Sequence, residues 1–185
     1  MCQKLLGDAT LYALLMRMDR DLAAKAREER RLLCGGSLHR ANYPRKPRGG
    51  PPGLELGYLY RLSFCCVKCR KRRTPPSVRF LGRRVYLGVV VVLVTTLQSG
   101  WTARRFARLR EQLGVDRRTV ERWRRWWKET LPQGPFWRGA KGRFAEPVEA
   151  GDLPGALLER FGGDARTRLV ALLRFLSPIT VPSAA

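Results

Sequence analysis

The sequence predicts a mainly α-helical protein that carries one small β element. Apolar residues recur at three- and four-residue spacing over residues 10–33, and again from residue 102 to about residue 130, which is the period of an amphipathic helix. Residues 57–67 place an aromatic or leucine side chain at every second position, which is typical of a short strand. A loop rich in proline and glycine at residues 40–57 precedes that strand.

The charge of the chain predicts a polyanionic partner. The sequence holds 37 Lys+Arg against 15 Asp+Glu, a formal net charge of +22, and 30 of the basic residues are arginine. Residues 61–84 carry nine basic and no acidic residues, whereas the last 42 residues carry four basic and five acidic ones. Because the arginine fork matches phosphate and guanine groups, this excess favours nucleic acid over a membrane surface.

The longest apolar run, residues 85–97, does not predict a membrane span. As a helix it covers about 20 Å, whereas the hydrocarbon layer is about 30 Å thick. The first residues do not resemble a secretory signal, and the five cysteines do not resemble a disulfide framework. We therefore expect a cytoplasmic, nucleoid-associated protein with no membrane partner.

Breaks in composition predict five segments. An N-terminal helix is followed by a module that contains most of the cysteines, then by a helical basic domain, a Pro/Gly linker and a near-neutral helical tail. The segments are residues 1–33, 34–76, 77–131, 132–150 and 151–185. The first and last are expected to pack on the core or to hold a partner.

Cysteine spacing predicts a structural Zn²⁺ site. Cys66 and Cys69 form a Cys-x-x-Cys pair, which supplies half of a tetrahedral zinc site. Upstream, Cys34 and His39 offer the other half, and the glycines that follow Cys34 permit the sharp turn of a zinc knuckle. Three thiolates and one imidazole form a closed structural set, as in a zinc ribbon.

Cys65 leaves two alternatives open: it takes the place of Cys66, or it takes the place of His39 in an all-cysteine site. The cysteines are alternatively small buried apolar residues with no metal.

Residues 102–130 predict a helix-turn-helix. Gly114 lies at the turn, and Val120 and Trp123 follow it by six and nine residues, where such motifs bury their second helix against the first. Residues 85–97 are expected to be the preceding helix of a tri-helical core. The opposite face of the second helix is long and basic, which suits the major groove. The residues predicted to contact DNA on this helix are Arg117, Arg118, Glu121, Arg122, Arg125 and Lys128.

A second basic stretch precedes this domain and is expected to hold phosphates. Its predicted contacts are Arg70, Lys71, Arg72, Arg73, Arg79, Arg83 and Arg84.

Together the ribbon, the stretch "RKRRTPPSVRF" and the helix-turn-helix resemble the DNA-binding portions of bacterial insertion-sequence transposases and their accessory proteins. The resemblance covers roughly residues 31–131. It implies binding to duplex DNA, at the ends of a mobile element or at an operator, with a transposase or a second copy of the chain as a further partner.

Catalysis is not expected. A transposase nuclease domain needs three metal-binding carboxylates on a large sheet, and only 35 residues follow Ala150. The alternative function is that of an RNA- or ribosome-associated zinc-ribbon protein.

Overall fold

The computed structural model describes residues 2–29, 34–47, 50, 52–81, 86–96 and 102–181. Within them the protein is mostly helical with a small antiparallel β element, which confirms the predicted fold class at this level. The helices are α1 (Cys2–Leu6), α2 (Ala9–Glu28), α3 (Gly88–Thr96), α4 (Ala103–Leu113), α5 (Arg117–Arg125), α6 (Leu131–Gln133), α7 (Pro135–Ala140), α8 (Gly155–Glu159) and α9 (Ala165–Leu176). The strands are β1 (Leu38–Arg40), β2 (Tyr43–Pro44), β3 (Tyr60–Arg61), β4 (Phe64–Cys66) and β5 (Arg72–Arg73).

Helix α2 begins at a side-chain cap. The Asp8 carboxylate accepts hydrogen bonds from the backbone N–H groups of Thr10 and Leu11 at 2.9 and 3.1 Å, which satisfies two donors that the first turn leaves free. Of the apolar positions that predict this helix, Leu11 and Leu15 are buried, and the buried face also contains the acidic residue Asp19. Residues 30–33, the predicted end of this helix, lie outside the described residues.

Helix α3 is the centre of the core, and it confirms that the valine-rich run is helical. Every residue from Gly88 to Thr95 is buried. The Thr95 hydroxyl donates to the Val91 carbonyl at 2.6 Å, so this polar group is satisfied within the helix. Gly88 allows close packing, because a Cβ there would lie 2.8 Å from a methyl carbon of Leu173 in α9.

A tight turn joins α4 to α5. Gly114 adopts a left-handed conformation with φ +61°, and the Asp116 carboxylate caps α5 by accepting from the Thr119 N–H at 2.7 Å. After Arg125 the chain continues through a π-helical turn, Trp126–Thr130, into α6. The helical path therefore continues past residue 130, where the sequence predicts its end, and includes Pro132. This proline lies in the first turn of α6, where its missing N–H costs little.

The segment predicted as a linker, residues 132–150, instead contains α7 and contributes to the core. Trp137 is buried, and Phe144 makes edge-on contacts with Phe161 and Phe175 of the tail at 6.1 and 5.3 Å between ring centroids. The proline and glycine residues shape short helices here because large aromatic side chains between them bury enough apolar surface to fix the path.

Two small antiparallel sheets form the β element. One has the strand order β1-β4-β5, and the other pairs β2 with β3. Strand β2 lies inside the predicted loop at residues 40–57. The predicted strand at residues 57–67 is divided between a 3-10 turn, Leu56–Leu59, and the strands β3 and β4.

One large hydrophobic cluster joins α2, α3, α5 and α9, and a smaller cluster of Ala23, Leu38, Phe64 and Cys66 seats the sheet on α2. Within the described ranges, every helix is too short or too polar to cross a bilayer.

Candidate metal site and basic surface

Three cysteines from two distant parts of the chain lie together at the end of the small sheet. The sulfur atoms of Cys34, Cys66 and Cys69 all lie within 4.8 Å of one another, and the Cys34 and Cys66 sulfurs are 3.2 Å apart. Sulfurs that bind one tetrahedral metal ion at about 2.3 Å are about 3.8 Å apart. The three thiols therefore have the spacing of a metal site, as the sequence predicts for these residues.

Glycine is required where the chain passes this cluster. Gly35 has φ +69°, a conformation that side chains disfavour. At Gly36, a Cβ would lie 2.6 Å from the Cys66 sulfur and 2.8 Å from the Lys68 Cβ. The two glycines after Cys34 thus allow the first loop, which carries Cys34, to approach the second loop, which carries Cys66 and Cys69, closely enough for the three sulfur atoms to cluster.

Backbone N–H groups around Cys66 stabilise its thiolate. The N–H of Cys69 and the Cys34 thiol hydrogen-bond to the Cys66 sulfur and lower its pKa to about 7, against the opposing effect of burial. The Lys71 N–H acts in the same direction on Cys69, but the neighbouring sulfurs of Cys34 and Cys66 outweigh it and raise the pKa of Cys69. A cation at the centre of the cluster would favour all three thiolates together.

His39 and Cys65 lie apart from the cluster. In the β1–β4 pair Leu38 faces Cys66, whereas His39 faces Cys65, so the two pairs occupy opposite sides of the sheet. Leu38 and Cys66 are buried and His39 is exposed. The structure therefore selects Cys66 over Cys65 for the cluster, and among the described residues it does not bring His39 to the three sulfurs.

Helix α5 divides its residues between the core and solvent. Val120 and Trp123 are buried, as is Trp127 in the following turn, and the Trp123 ring contacts Tyr86 edge-on at 4.8 Å. The six residues predicted to contact DNA are all exposed: Arg117, Arg118, Glu121, Arg122, Arg125 and Lys128. Two of them hold each other, since Arg117 and Glu121 form an exposed ion pair at 2.7 Å.

The basic stretch after the cysteines is only partly available to a ligand. Arg70 and Lys71 are exposed. Arg72 is also exposed, but it donates to the Ala41 carbonyl at 2.6 Å, and Arg73 pairs with Glu29 at 2.8 Å. Arg83 and Arg84 lie outside the described residues.

The prediction for Arg79 is wrong. The sequence predicts a phosphate contact, yet the Arg79 side chain is completely buried. Its Nε donates to the Asp19 carboxylate at 2.7 Å, and its two terminal nitrogens donate to the carbonyls of Gly57 and Tyr60. Its guanidinium carbon also lies 5.0 Å from the ring centre of Tyr58. The arginine is thus a structural cross-link between α2 and the loops around the sheet.

This network was not predicted from the sequence, because a count of basic residues over 61–84 does not distinguish a buried arginine from exposed ones. The signal was Asp19, an acidic residue four positions after Leu15 on the apolar stripe of α2. A carboxylate on a buried stripe predicts a buried basic partner, because an unpaired charge there is costly.

Comparisons with known proteins add no relative: no family model, curated protein or solved structure matches the chain significantly.

Proposed function

We propose that this protein binds duplex DNA without catalysing a reaction on it, and that the exposed face of α5 enters the major groove. The observation that carries the proposal is the division of α5 described above. One face is fixed against α3 and the core by Val120 and Trp123. The other presents Arg118, Arg122 and Arg125 to solvent.

The helices around α5 support a helix-turn-helix interpretation. Gly114 makes the turn with a left-handed conformation, and Val115 directly after it is wholly buried. Helix α4 precedes the turn, and α3 packs against α5 as the third helix. Such an arrangement holds a recognition helix rigidly while leaving its outer face free for base edges and phosphates.

The charges assign different roles to the exposed residues. Arg118, Arg122 and Arg125 would reach base edges, where the guanidinium fork pairs best with guanine. Arg117 and Lys128, together with Arg70 and Lys71 beside the cysteine cluster, would contact phosphates. The large positive charge of the chain, +22, would add a sequence-independent attraction that weakens with salt.

The second part of the proposal is that Cys34, Cys66 and Cys69 bind a zinc ion that stabilises the small sheet. The cluster contains three sulfur ligands, and backbone N–H groups already favour thiolate at Cys66. The sheet has only a small apolar core of its own, so a metal ion would contribute much of its stability.

The resemblance to transposase DNA-binding portions suggests the biological setting. We propose that the DNA is the end of a mobile element or an operator, and that a transposase or a second copy of the chain binds beside it.

The deciding experiment is selection of DNA from a random duplex pool by the full chain, followed by footprinting of the enriched sequence. A recurring motif with a protected footprint is expected, and a palindromic motif would indicate a dimer. Equal binding to all duplexes, with tighter binding to structured RNA, would instead support the RNA- or ribosome-associated alternative. The double variant Arg118→Ala/Arg122→Ala removes two of the proposed base contacts, and the selection should then lose the enrichment.

A further inference from the structure

The two loops that meet at the cysteine cluster are built alike. Directly after Cys34, Gly35 has φ +69°, and directly after Cys69, Arg70 has φ +56°. A positive φ is rare for a residue other than glycine, so its presence at Arg70 marks a demanding turn. The same conformation directly after each cysteine indicates that both loops make the same kind of turn around the cluster.

This correspondence identifies which ligand the first loop would need. In the second loop the partner of Cys69 is Cys66, three residues earlier. Three residues before Cys34 the chain has Arg31, which lies outside the described residues, so only its place in the sequence enters the comparison. An arginine side chain stays protonated and has no lone pair to offer a metal ion. The neighbouring residues 30, 32 and 33 are arginine and leucine, which are not ligands either.

The described remainder of the chain does not complete the set. Among the described histidine, cysteine and acidic residues, the group around Cys66 contains three members. The nearest alternatives in sequence, His39 and Cys65, face each other on the opposite side of the sheet. Their placement follows from strand alternation, since one step along a strand reverses the side-chain direction.

The cluster is also accessible from solution. Cys34 and Cys69 are half-buried, and Cys66 alone is buried. The adjoining residues Val67 and Lys68 are exposed. Two of the three cysteines therefore lie partly at the surface, where a small molecule from solution could reach them.

We infer that the metal ion bound by Cys34, Cys66 and Cys69 keeps its fourth coordination position for a ligand from solution, water that imidazole or a small thiol can replace. The inference rests on the metal binding proposed above and refines it. A closed structural zinc site has four protein ligands, whereas an open position makes the ion exchangeable and reachable by solutes. Three thiolates also favour soft ions, so copper(I) should compete for this site.

Cobalt(II) is the probe that tests the open position. The full chain is loaded with cobalt, and its visible absorption is recorded while imidazole is added at concentrations that leave the cobalt bound. We expect thiolate-to-cobalt charge transfer from three sulfurs, and a saturable shift of the d–d bands as imidazole enters. If the absorption spectrum of the cobalt-loaded protein did not change on addition of imidazole, the inference would be overturned, whereas the proposed metal binding would stand. Failure to bind cobalt or zinc would overturn both.

Variants identify the source of the fourth ligand. Arg31→Cys gives the sequence a second Cys-x-x-Cys, so we expect it to add a fourth thiolate and abolish the response to imidazole. His39→Ala and Cys2→Ser should leave the spectrum of the wild-type site unchanged. If either of these two changes alters the d–d bands before imidazole is added, the chain supplies the fourth ligand itself and the inference is wrong.

Discussion

Asp19 and Arg79 form a buried ion pair in which the Arg79 Nε lies 2.7 Å from the Asp19 carboxylate, although 60 residues separate them in the sequence. The same carboxylate accepts from the Ser77 hydroxyl at 2.6 Å and the Val78 N–H at 2.7 Å. The charges are therefore hydrogen-bonded on both sides. This pair ties α2 to the chain segment between the sheet and α3.

We predict that Asp19→Ala destabilises the protein by about 3–5 kcal/mol, because it leaves the Arg79 charge buried and unpaired. Denaturant unfolding followed by circular dichroism measures the loss. Asp21→Ala is the matched control, since Asp21 is exposed on the same helix. The double change Asp19→Leu/Arg79→Met should cost less than Asp19→Ala alone. A loss of equal size in Asp21→Ala would show that the buried pair is not the cause.

Cys66→Ser should lower both the zinc content and the melting temperature, because it removes the one buried cysteine of the cluster. Cys65→Ser should leave both unchanged, because Cys65 faces the other side of the sheet. Elemental analysis and thermal unfolding of the two variants make the comparison. If the two changes had equal effects, or if the metal-free chain were fully folded, a zinc ion at this cluster would not stabilise the fold.

Gly36→Ala should weaken metal binding, because its Cβ would lie 2.6 Å from the Cys66 sulfur. A chelator competition assay measures the affinity, and Gly142→Ala serves as the control because a Cβ there meets no atom within 4 Å. Arg70→Gly should instead raise the free energy of unfolding by up to about 1 kcal/mol. Glycine adopts the left-handed backbone conformation of this position without the cost that a side chain adds. Intact affinity in Gly36→Ala would contradict the close approach of the two loops.

Arg122→Ala should weaken binding to the selected DNA by about 1–3 kcal/mol and barely change binding to random duplex. Titrations of both DNAs by fluorescence anisotropy give the two values. Arg168→Ala removes the same charge from an exposed position on α9, and it should affect neither strongly. An equal loss on both DNAs would reassign Arg122 to a phosphate contact.

Acid should weaken the N-terminal end of α5. The Thr119 N–H and hydroxyl hold the pKa of Asp116 below its ordinary value of 3.8. A depressed folded-state pKa contributes stability that is complete above about pH 4 and is lost as the pH falls through the lower folded value. Asp116→Ala should cost about 1 kcal/mol at neutral pH.

Asp116→Asn keeps an acceptor for the Thr119 N–H, and it should therefore retain the cap while losing its share of the pH dependence. Urea unfolding of the three proteins between pH 2 and 7 compares them, and a steeper acid loss in Asp116→Asn than in wild type would refute this account.

Local periodicity predicted much of this fold. Helices α2, α4 and α5 follow from apolar spacing, from Gly114 and from the capping position of Asp116, because these signals act within a few residues, whereas α3 follows from the length and position of its apolar run. The three clustered cysteines were likewise predictable from a Cys-x-x-Cys and a Cys-Gly-Gly. The exclusion of His39 was not, because it depends on the register of β1 against β4, where a shift of one residue reverses every side chain.

Two further differences between the sequence prediction and the structure also depend on contacts between residues that are far apart in the sequence. Arg79 reads as one more positive charge in a basic stretch, and only the fold places Asp19 beside it. Residues 132–150 read as a linker because proline and glycine dominate their local pattern. Their helix is stabilised by distant partners: Phe136 contacts Phe175 edge-on at 5.2 Å, and Trp137 is buried in the core.

The continuous core has a consequence for dissecting the molecule. Trp123, Trp127 and Leu131 belong to the same apolar cluster as Leu15 near one end of the chain and Leu173 near the other. A fragment that runs only from α4 through α6 would expose these indole and leucine side chains to water and should aggregate or stay unfolded. The proposed recognition helix would therefore depend on the intact chain, and we expect truncation to be a poor route to a minimal DNA-binding peptide.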